Sequence, residues 1–528
     1  SGGKSQRGAA RGVCGGGEGR DLARFQRVSG EAAGPPASPP LHDSSTSILA
    51  TVCQHALALG GAPLSDVTLD TPLGALGLDS LQRVELAATL EKTFACRLPD
   101  KEFSPAQTLG DLAHAVQAHL LGRSTPAPVP GDISAAHYDF PQFPEYVALK
   151  RYERMLRAVA GENPYFRVDQ GGASQRSLVN FGIYDYIGMA RAPAVLDAAK
   201  AAIDRYGTTA GASRLVSGEK QVHRDLEQGL AAFLGTRSAI VFVSGHATNV
   251  TTVGHLMGPE DLIVHDALAH NSIIQGAQLS GATRRAFAHN DWLALDAHLS
   301  EVRHHHRRVL IAIEGVYSMD GDYPDLPRFV VLRNKHKALL LVDEAHSLGT
   351  MGPTGRGIGE HWDVARTDVD LWMGTLSKSL ASCGGYIAGS AEIVEYLACT
   401  APGFVYSVGL SPPNAAAALA ALILLRAEPE RVGRLRELAA LFLVLARERG
   451  LNTGLSGGTP VIPIVVGSSV KTLRLSSALL ARGINVQPIL HPAVPEHAAR
   501  LRFFLTVHHS ESQIRETVDV LGDEMGKL

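Results

Sequence analysis

Apolar positions along this chain follow two different rhythms. Behind a Ser/Thr cluster able to cap a first turn, Ile48, Leu49, Val52, Ala56 and Leu59 recur at helical spacing. A loop containing glycine and proline runs from Gly60 to Gly77. A second amphipathic run then carries Leu81, Val84, Leu86 and Leu90, and a last one extends from about Leu109 to Leu121. This pattern predicts a small four-helix unit over 43–122. After about residue 136 the texture changes. Short apolar runs such as Ser238–Phe242, Val309–Ile313 and Leu339–Val342 lead into Gly, Asp or Glu and alternate with helical stretches. Apolar strands alternating with helices predict an α/β fold, a mostly parallel sheet covered on both faces that binds ligands at the carboxyl ends of its strands. That large domain is expected over 136–412, with a smaller α+β domain over 413–528.

The remaining segments lack either rhythm. Residues 1–42 are rich in Gly, Pro, Ser and Arg, too poor in aliphatic positions to offset ordering entropy, and read as a disordered lead or linker. Gly15, Gly16, Gly17 and Gly19 follow no strand and open no helix, which argues against a phosphate loop. Residues 123–135 contain Pro126, Pro128 and Pro130 and read as an extended tether. At ~3.1 Å per residue, a dozen such residues reach ~35–40 Å.

Composition narrows the class. The 528 residues, 45% hydrophobic and 19% charged, suit a globular protein of two to four domains. Lys+Arg 49 against Asp+Glu 52 gives a net charge of −3, no electrostatic footprint for nucleic acid or an anionic membrane. The five cysteines, Cys14, Cys53, Cys96, Cys383 and Cys399, form no CxxC, against a disulfide scaffold or zinc ribbon. The longest uncharged apolar stretch, Ala415 to Leu425, is too short for a bilayer, and no signal segment opens the chain. A cytoplasmic location is expected. His304, His305 and His306 are flanked by Arg303, Arg307 and Arg308, so they read as a solvated face and no metal is expected.

Two places carry chemistry. In Gly77-Leu78-Asp79-Ser80-Leu81, Asp79 or Ser80 alone would read as a helix cap. The small helical context and the tether behind it make this stretch resemble an acyl carrier protein. The resemblance implies that Ser80 bears 4'-phosphopantetheine, and that Asp79 and Leu81 help present the loop to a phosphopantetheinyl transferase. It also implies an upstream synthase that loads the acyl group. In the second place, Lys378 stands at the end of the strand-like Leu371-Trp372-Met373, between Ser377 and Ser379. Desolvation there lowers an ammonium pKa and makes the amine nucleophilic enough for a Schiff base, and Thr375 and Ser377 offer hydroxyls to a phosphate. Asp343-Glu344-Ala345-His346 also closes a strand. A helicase reading fails because no Gly-x4-Gly-Lys-Ser/Thr loop exists. A carboxylate at a strand end instead suits a pyridinium nitrogen, keeping a bound pyridine ring able to absorb carbanion charge.

With these in place, residues ~136–528 resemble the α-oxoamine synthase family, which joins an amino acid to an acyl thioester with loss of CO2. The matching motifs run in family order: Tyr184-Asp-Tyr-Ile-Gly188, Gly211-Ala-Ser-Arg214, Ser244-Gly-His-Ala-Thr-Asn249, His270-Asn-Ser272 and Phe287-Ala-His-Asn-Asp291. Glu314-Gly-Val-Tyr-Ser-Met-Asp-Gly-Asp322, the Asp343 and Lys378 strings and Arg500-Leu-Arg502 follow. The resemblance implies a fold type I, pyridoxal 5'-phosphate-dependent transferase. Lys378 would bind the cofactor as a Schiff base and act as acid and base at the amino acid Cα. Asp343 would pair with the pyridinium, His346 with the ring oxygen, and His270 would stack on the ring. Ser244, Gly245, His246, Thr375 and Ser377 would hold the phosphate, with Ser407 reaching it from the partner of a homodimer. Arg502, with Asp185 and Ser272, would meet the substrate. Glu314 reads either as a packing residue or as part of the site. Three positions depart from the family pattern or vary within it: His246 where an aromatic residue is usual, Asp185 where Asn or Asp occurs, and His491 where some relatives have Arg.

The expected reaction is decarboxylative condensation of a small L-amino acid with an acyl thioester on the carrier, giving an α-aminoketone. The stretch Thr208 to Ser213 resembles that of serine-using relatives slightly more, which implies serine, with glycine and alanine as alternatives. The layout resembles enzymes of prodiginine-type, polyketide and antibiotic biosynthesis. Two other readings stay open: the same chemistry with acyl-CoA as donor, and a carrier or docking protein whose cofactor domain is degenerate.

Overall fold

The computed structural model describes residues 45–60, 71, 76, 86, 89–90, 93–94, 108–121, 139–161, 163–166 and 178–528. Ser80, Asp79 and Leu81 lie outside the described residues. The chain divides into two compact units, Ser1–Tyr138 and Asp139–Leu528.

In the first unit, helices Ser45–Gly60 and Leu109–Leu121 pack together. Val52 and Ala56, one turn apart, meet Leu109, Leu112 and Val116, with Leu76, Leu86 and Leu90 completing a dry cluster. The second helix is started by a reciprocal pair: the Thr108 N–H donates to Asp111 and the Asp111 N–H donates to the Thr108 hydroxyl. Two N–H groups that the helix itself cannot satisfy are paired in this way.

The strands of the second unit are, in chain order, β1 (Val179–Asn180), β2 (Ser238–Phe242), β3 (Leu262–Asp266), β4 (Thr283–Phe287), β5 (Val309–Glu314) and β6 (Leu339–Asp343). They continue with β7 (Leu371–Thr375), β8 (Gly385–Gly389), β9 (Val461–Val465), β10 (Ile484–Asn485), β11 (Gln487–Ile489) and β12 (Arg500–Phe504). Among the described residues, seven strands form one sheet in the order β2-β8-β7-β6-β5-β3-β4. All its pairings are parallel except those of β8, which runs antiparallel to both neighbours. Successive strand residues serve opposite faces, as the two-residue period demands. Val241, Val264, Ile311, Val342 and Trp372 join one core cluster, while Ile240, Ile263, Leu310, Leu341 and Met373 join another. Burial on both faces is why these strands read as unbroken apolar runs.

The apolar run Ala415–Leu425 lies inside the helix Pro412–Ala427, where Ala418, Ala421, Leu422 and Leu425 are buried. Among the described residues no helix is long and apolar enough to cross a membrane. The C-terminal part builds an antiparallel sheet, β11-β12-β9, against the helices Glu430–Glu448 and Ser469–Ala481, and the helix Glu511–Met525 packs on both of those helices. Its central strand β12 carries Arg500 and Arg502.

Candidate active site

The carboxyl ends of β5, β6 and β7 and the turn after β2 enclose a cavity of about 240 Å³. Ser244, Gly245, His246, His270, Ser272, Asp343, His346, Thr375, Ser377 and Lys378 all line it, together with Asn249 and Glu314. Arg502, Asp185 and Ser407 stand outside that lining.

Lys378 sits just past β7, and burial lowers its pKa to about 8, although Asp343 and Glu314 pull it up; Arg502 lowers it further. Near neutrality a fraction of roughly a tenth of the amine is thus free base, far more than for an ordinary lysine, and this is the form that attacks a carbonyl. Asp343, the last residue of β6, is 4% exposed. One of its oxygens accepts from the Asn249 amide at 2.7 Å and the other from the Ala345 N–H at 2.9 Å. A donor on each oxygen favours the carboxylate anion, which can hold a proton on a pyridine nitrogen.

Two histidines are set in defined tautomers. The Asn249 amide also donates to the Ser272 hydroxyl at 3.0 Å, which leaves that hydroxyl to donate to His270 Nδ1 at 2.7 Å. The Ser272 N–H approaches the same nitrogen at 3.3 Å. His270 Nδ1 is thus an acceptor and Nε2 carries the proton; burial, together with the Lys378 charge, keeps the ring neutral against the pull of Asp343. On the other side, Tyr186 is fully buried, which pushes its hydroxyl well above the usual range, so it donates to His346 Nδ1 at 2.7 Å. His346, kept neutral by burial and by the charges of Lys378 and Arg502, has its Nε2–H left for the cavity.

The phosphate end is built from β2, β7 and β8. Ser244 caps the helix Gly245–Leu256, its hydroxyl accepting from the Ala247 N–H at 3.0 Å. A helix start presents free N–H groups and the positive end of the helix dipole, which suits a phosphate. Thr375 donates to the Gly384 carbonyl at 3.0 Å and accepts from Ser377 at 2.7 Å. A Cβ at Gly245 would come within 2.9 Å of the Thr375 hydroxyl, so only glycine lets the helix start approach this closely. The anionic strand end, the lysine of lowered pKa, the two N–H-bearing imidazoles and the helix start fit a pyridoxal phosphate, and Lys378, Asp343, His346, His270 and the Ser244–His246 turn would hold it.

Outside the cavity lining, Arg502 donates to the Ser318 carbonyl at 3.0 Å and stacks its guanidinium 4.7 Å from the Phe504 ring centroid. Its Nε is buried and without a partner. Arg500, two residues away on β12, is paired with Asp320 at 2.6 Å. A half-buried guanidinium at this place suits a ligand carboxylate. Phe504 packs edge-on against Tyr184, whose ring lies 5.7 Å from the Lys378 amine, linking Arg502 to the cavity. Asp185 spends its oxygens on its own turn, accepting the N–H groups of Met189 at 2.8 Å and Ala190 at 3.2 Å. His246 lies edge-on to His270 at 6.3 Å. The Ser407 hydroxyl donates only to the Val408 carbonyl, on a surface where Tyr406 is 86% and Val216 81% exposed. The His491 N–H donates to the Ser469 hydroxyl at 3.2 Å, and the His491 carbonyl accepts from Tyr152.

Behind the strand ends, His289 is clamped between Asp266 at 2.8 Å and Asp322 at 2.7 Å. Burial disfavours its charge, yet the two carboxylates outweigh that and raise its pKa to about 10. The sequence motifs contained Asn249, Tyr184, Tyr186 and His289 without assigning them work. Asn249 could have been flagged by spacing, since it lies one turn beyond Gly245 on the same helix face.

Comparison with known proteins agrees with this geometry. The family model "Aminotransferase class I and II" matches residues 176–521, and "Phosphopantetheine attachment site" matches 49–116. An 8-amino-7-oxononanoate synthase from Geobacter sulfurreducens is 41% identical over 381 residues, covering 71% of this chain and 95% of the relative. A serine palmitoyltransferase from Sphingomonas wittichii superposes with a TM-score of 0.69 at 30% identity, covering 73% of this chain and 99% of that one. A serine palmitoyltransferase from S. paucimobilis, solved with a PLP-myriocin adduct, gives a TM-score of 0.70 at 27% identity over the same shares. The chain is therefore an acyltransferase-type enzyme whose cofactors are pyridoxal 5'-phosphate and 4'-phosphopantetheine. It belongs to the α-oxoamine synthases, the decarboxylative condensing branch of the class I and II aminotransferase fold, with a phosphopantetheine attachment domain ahead of the catalytic one.

Proposed function

We propose that this enzyme condenses a small L-amino acid, serine before glycine or alanine, with an acyl thioester carried on its own phosphopantetheine arm at Ser80. The observation that carries the reading is one cavity lined by a buried lysine of lowered pKa and the buried carboxylate of Asp343, in a chain that also contains a carrier domain. Bound pyridoxal phosphate supplies the electron sink for negative charge at Cα. Asp343 would keep the pyridine nitrogen protonated, and His270 and His346, both neutral, would hold the ring in place. Arg502 would take the substrate carboxylate through its guanidinium. Lys378 removes the proton from Cα and later returns one to the same carbon. A Cα–acyl bond forms as the thioester C–S bond breaks and the thiol leaves. The bond from Cα to the carboxyl carbon then breaks, releasing CO2 and an α-aminoketone. Serine is favoured by the Thr208–Ser213 stretch and by the serine palmitoyltransferases among the similar solved structures. The Pro-rich tether over 123–135 would give the arm a high effective concentration at an active site. A fused carrier also supports a role in natural-product assembly, of the polyketide and antibiotic type.

A homodimer in which Ser407 serves the partner's phosphate is supported by the exposed apolar side chains around it. Leu215, Val216, Tyr406 and Val408 are all exposed, and the two segments are tied by the Gly409 N–H to the Ala212 carbonyl. Light scattering should give a dimer mass, and a fully active monomer would refute this.

Ser80→Ala tests the donor. With acyl groups supplied only through phosphopantetheinylation, the variant should make no aminoketone while keeping the wild-type cofactor absorbance. Undiminished turnover would transfer the role of donor to acyl-CoA. A wild-type protein that stays colourless with added pyridoxal phosphate would instead favour a carrier or docking role.

A further inference from the structure

Glu314 lines the cavity but has no task in the mechanism above. β5 and β6 pair in parallel with Glu314 in register with Asp343, so two carboxyl-bearing residues end adjacent strands and line the same cavity. Each residue is 4% exposed. Their surroundings differ. Asp343 receives one N–H donor on each oxygen, from Asn249 and Ala345. Glu314 receives the His270 backbone N–H at 2.6 Å on Oε1.

We infer that Glu314 and Asp343 share a single negative charge, borne by Asp343, and that Glu314 is a positioning residue that works as a neutral acid. Adjacent buried carboxyls rarely ionise together, and the one with more donors keeps the charge. The groups facing Glu314 agree in direction. Burial and then the Asp343 charge push its carboxyl well above the usual range; Asp266 adds to this, and the His270 N–H and Lys378 oppose it.

Two consequences follow for the site. As an acceptor, Glu314 holds the backbone at His270, the residue that caps the helix Asn271–Ser280, and so sets where the imidazole stands. As a neutral group it spares Lys378 a second anion, because a charged Glu314 draws the lysine towards its protonated form. The inference rests on reading the cavity as the pyridoxal phosphate site.

Two measurements test it, one needing no cofactor. The first is the melting temperature of cofactor-free wild type and Glu314→Gln at pH 4.5 and pH 8. A carboxyl whose folded pKa is raised stabilises fully below its ordinary value and loses that contribution as pH rises. Gln cannot ionise, so E314Q should melt higher, relative to wild type, at pH 8 than at pH 4.5. A difference that is the same at both pH values would overturn the inference. If E314Q does not fold, Glu314→Leu serves the same comparison, since only the pH dependence of the difference is read. The second is the pH titration of cofactor absorbance in protein loaded with pyridoxal phosphate. Glu314→Ala should bind the cofactor about tenfold more weakly for want of the acceptor, and E314Q should restore both affinity and titration midpoint. E314Q behaving like Asp343→Asn would show that Glu314 acts as an anion and overturn the inference. A wild-type protein that shows no cofactor absorbance would sink the cavity assignment instead, leaving the first measurement to decide the charge on Glu314.

Discussion

Asn249→Ala removes a single amide that serves both halves of the site. Asn249 is 1% exposed, and its Nδ2 donates to Asp343 at 2.7 Å and to Ser272 at 3.0 Å. Losing the first bond leaves Asp343 with only the Ala345 N–H as donor. Losing the second frees the Ser272 hydroxyl to turn away from His270 Nδ1, so the ring's tautomer is then held by the long bond from the Ser272 N–H alone. A hydrogen bond to a charged group is worth about 1.5–3 kcal/mol. At about 1.4 kcal/mol per tenfold, the Asp343 limb alone predicts a loss of roughly 10- to 150-fold in pyridoxal phosphate affinity or in turnover. The Ser272 limb is not to be added in full, because both bonds leave from one amide. Fluorescence titration of cofactor-free protein gives the affinity, and product formation at saturating cofactor gives the turnover. Values within twofold of wild type in both assays would refute the claim that Asn249 sustains the Asp343 charge. Asn249→Asp should be worse than alanine, since it sets a second carboxylate against Asp343.

Other outcomes follow from the same geometry. The rate of cofactor capture should rise with pH through a midpoint near 8, the pKa that burial imposes on Lys378, and level off above it; Arg502→Met removes a nearby positive charge and should move the midpoint upward in a stopped-flow pH series, whereas an unmoved midpoint would separate the two residues. Gly245→Ala places a Cβ 2.9 Å from the Thr375 hydroxyl and should weaken pyridoxal phosphate binding about tenfold by overpacking, read by equilibrium dialysis. His289 has a folded pKa of about 10, above its ordinary value, so its stabilisation is complete below about pH 6.5 and is lost as pH rises towards 10. The melting temperatures of wild type and His289→Gln should accordingly converge between pH 7 and 10, and a constant gap would deny the clamped imidazolium.

Much of this protein was legible in one dimension. Strands such as Val309–Glu314 and Leu339–Asp343 announce themselves because they are buried on both faces and therefore apolar throughout, and their terminal carboxylates mark the ligand end of a parallel sheet. Lys378 between hydroxyls after an apolar strand could be singled out on the same ground. These are local signals, carried by residues within one element. The partners of the site residues are not local. Asn249 reaches Asp343 across 94 positions, Tyr186 reaches His346 across 160, and Arg502 reaches the Ser318 carbonyl across 184. Nor does the chain order say that Glu314 lies beside Asp343; the pairing of β5 with β6 decides it. Asp185 reads as a substrate contact within its motif, yet in the folded chain a short carboxylate meets the N–H groups of its own turn first. Periodicity and strand-end chemistry set which elements form and where a ligand binds. Strand order and register, which depend on packing between distant segments, decide which nitrogen keeps its proton and which carboxyl keeps its charge.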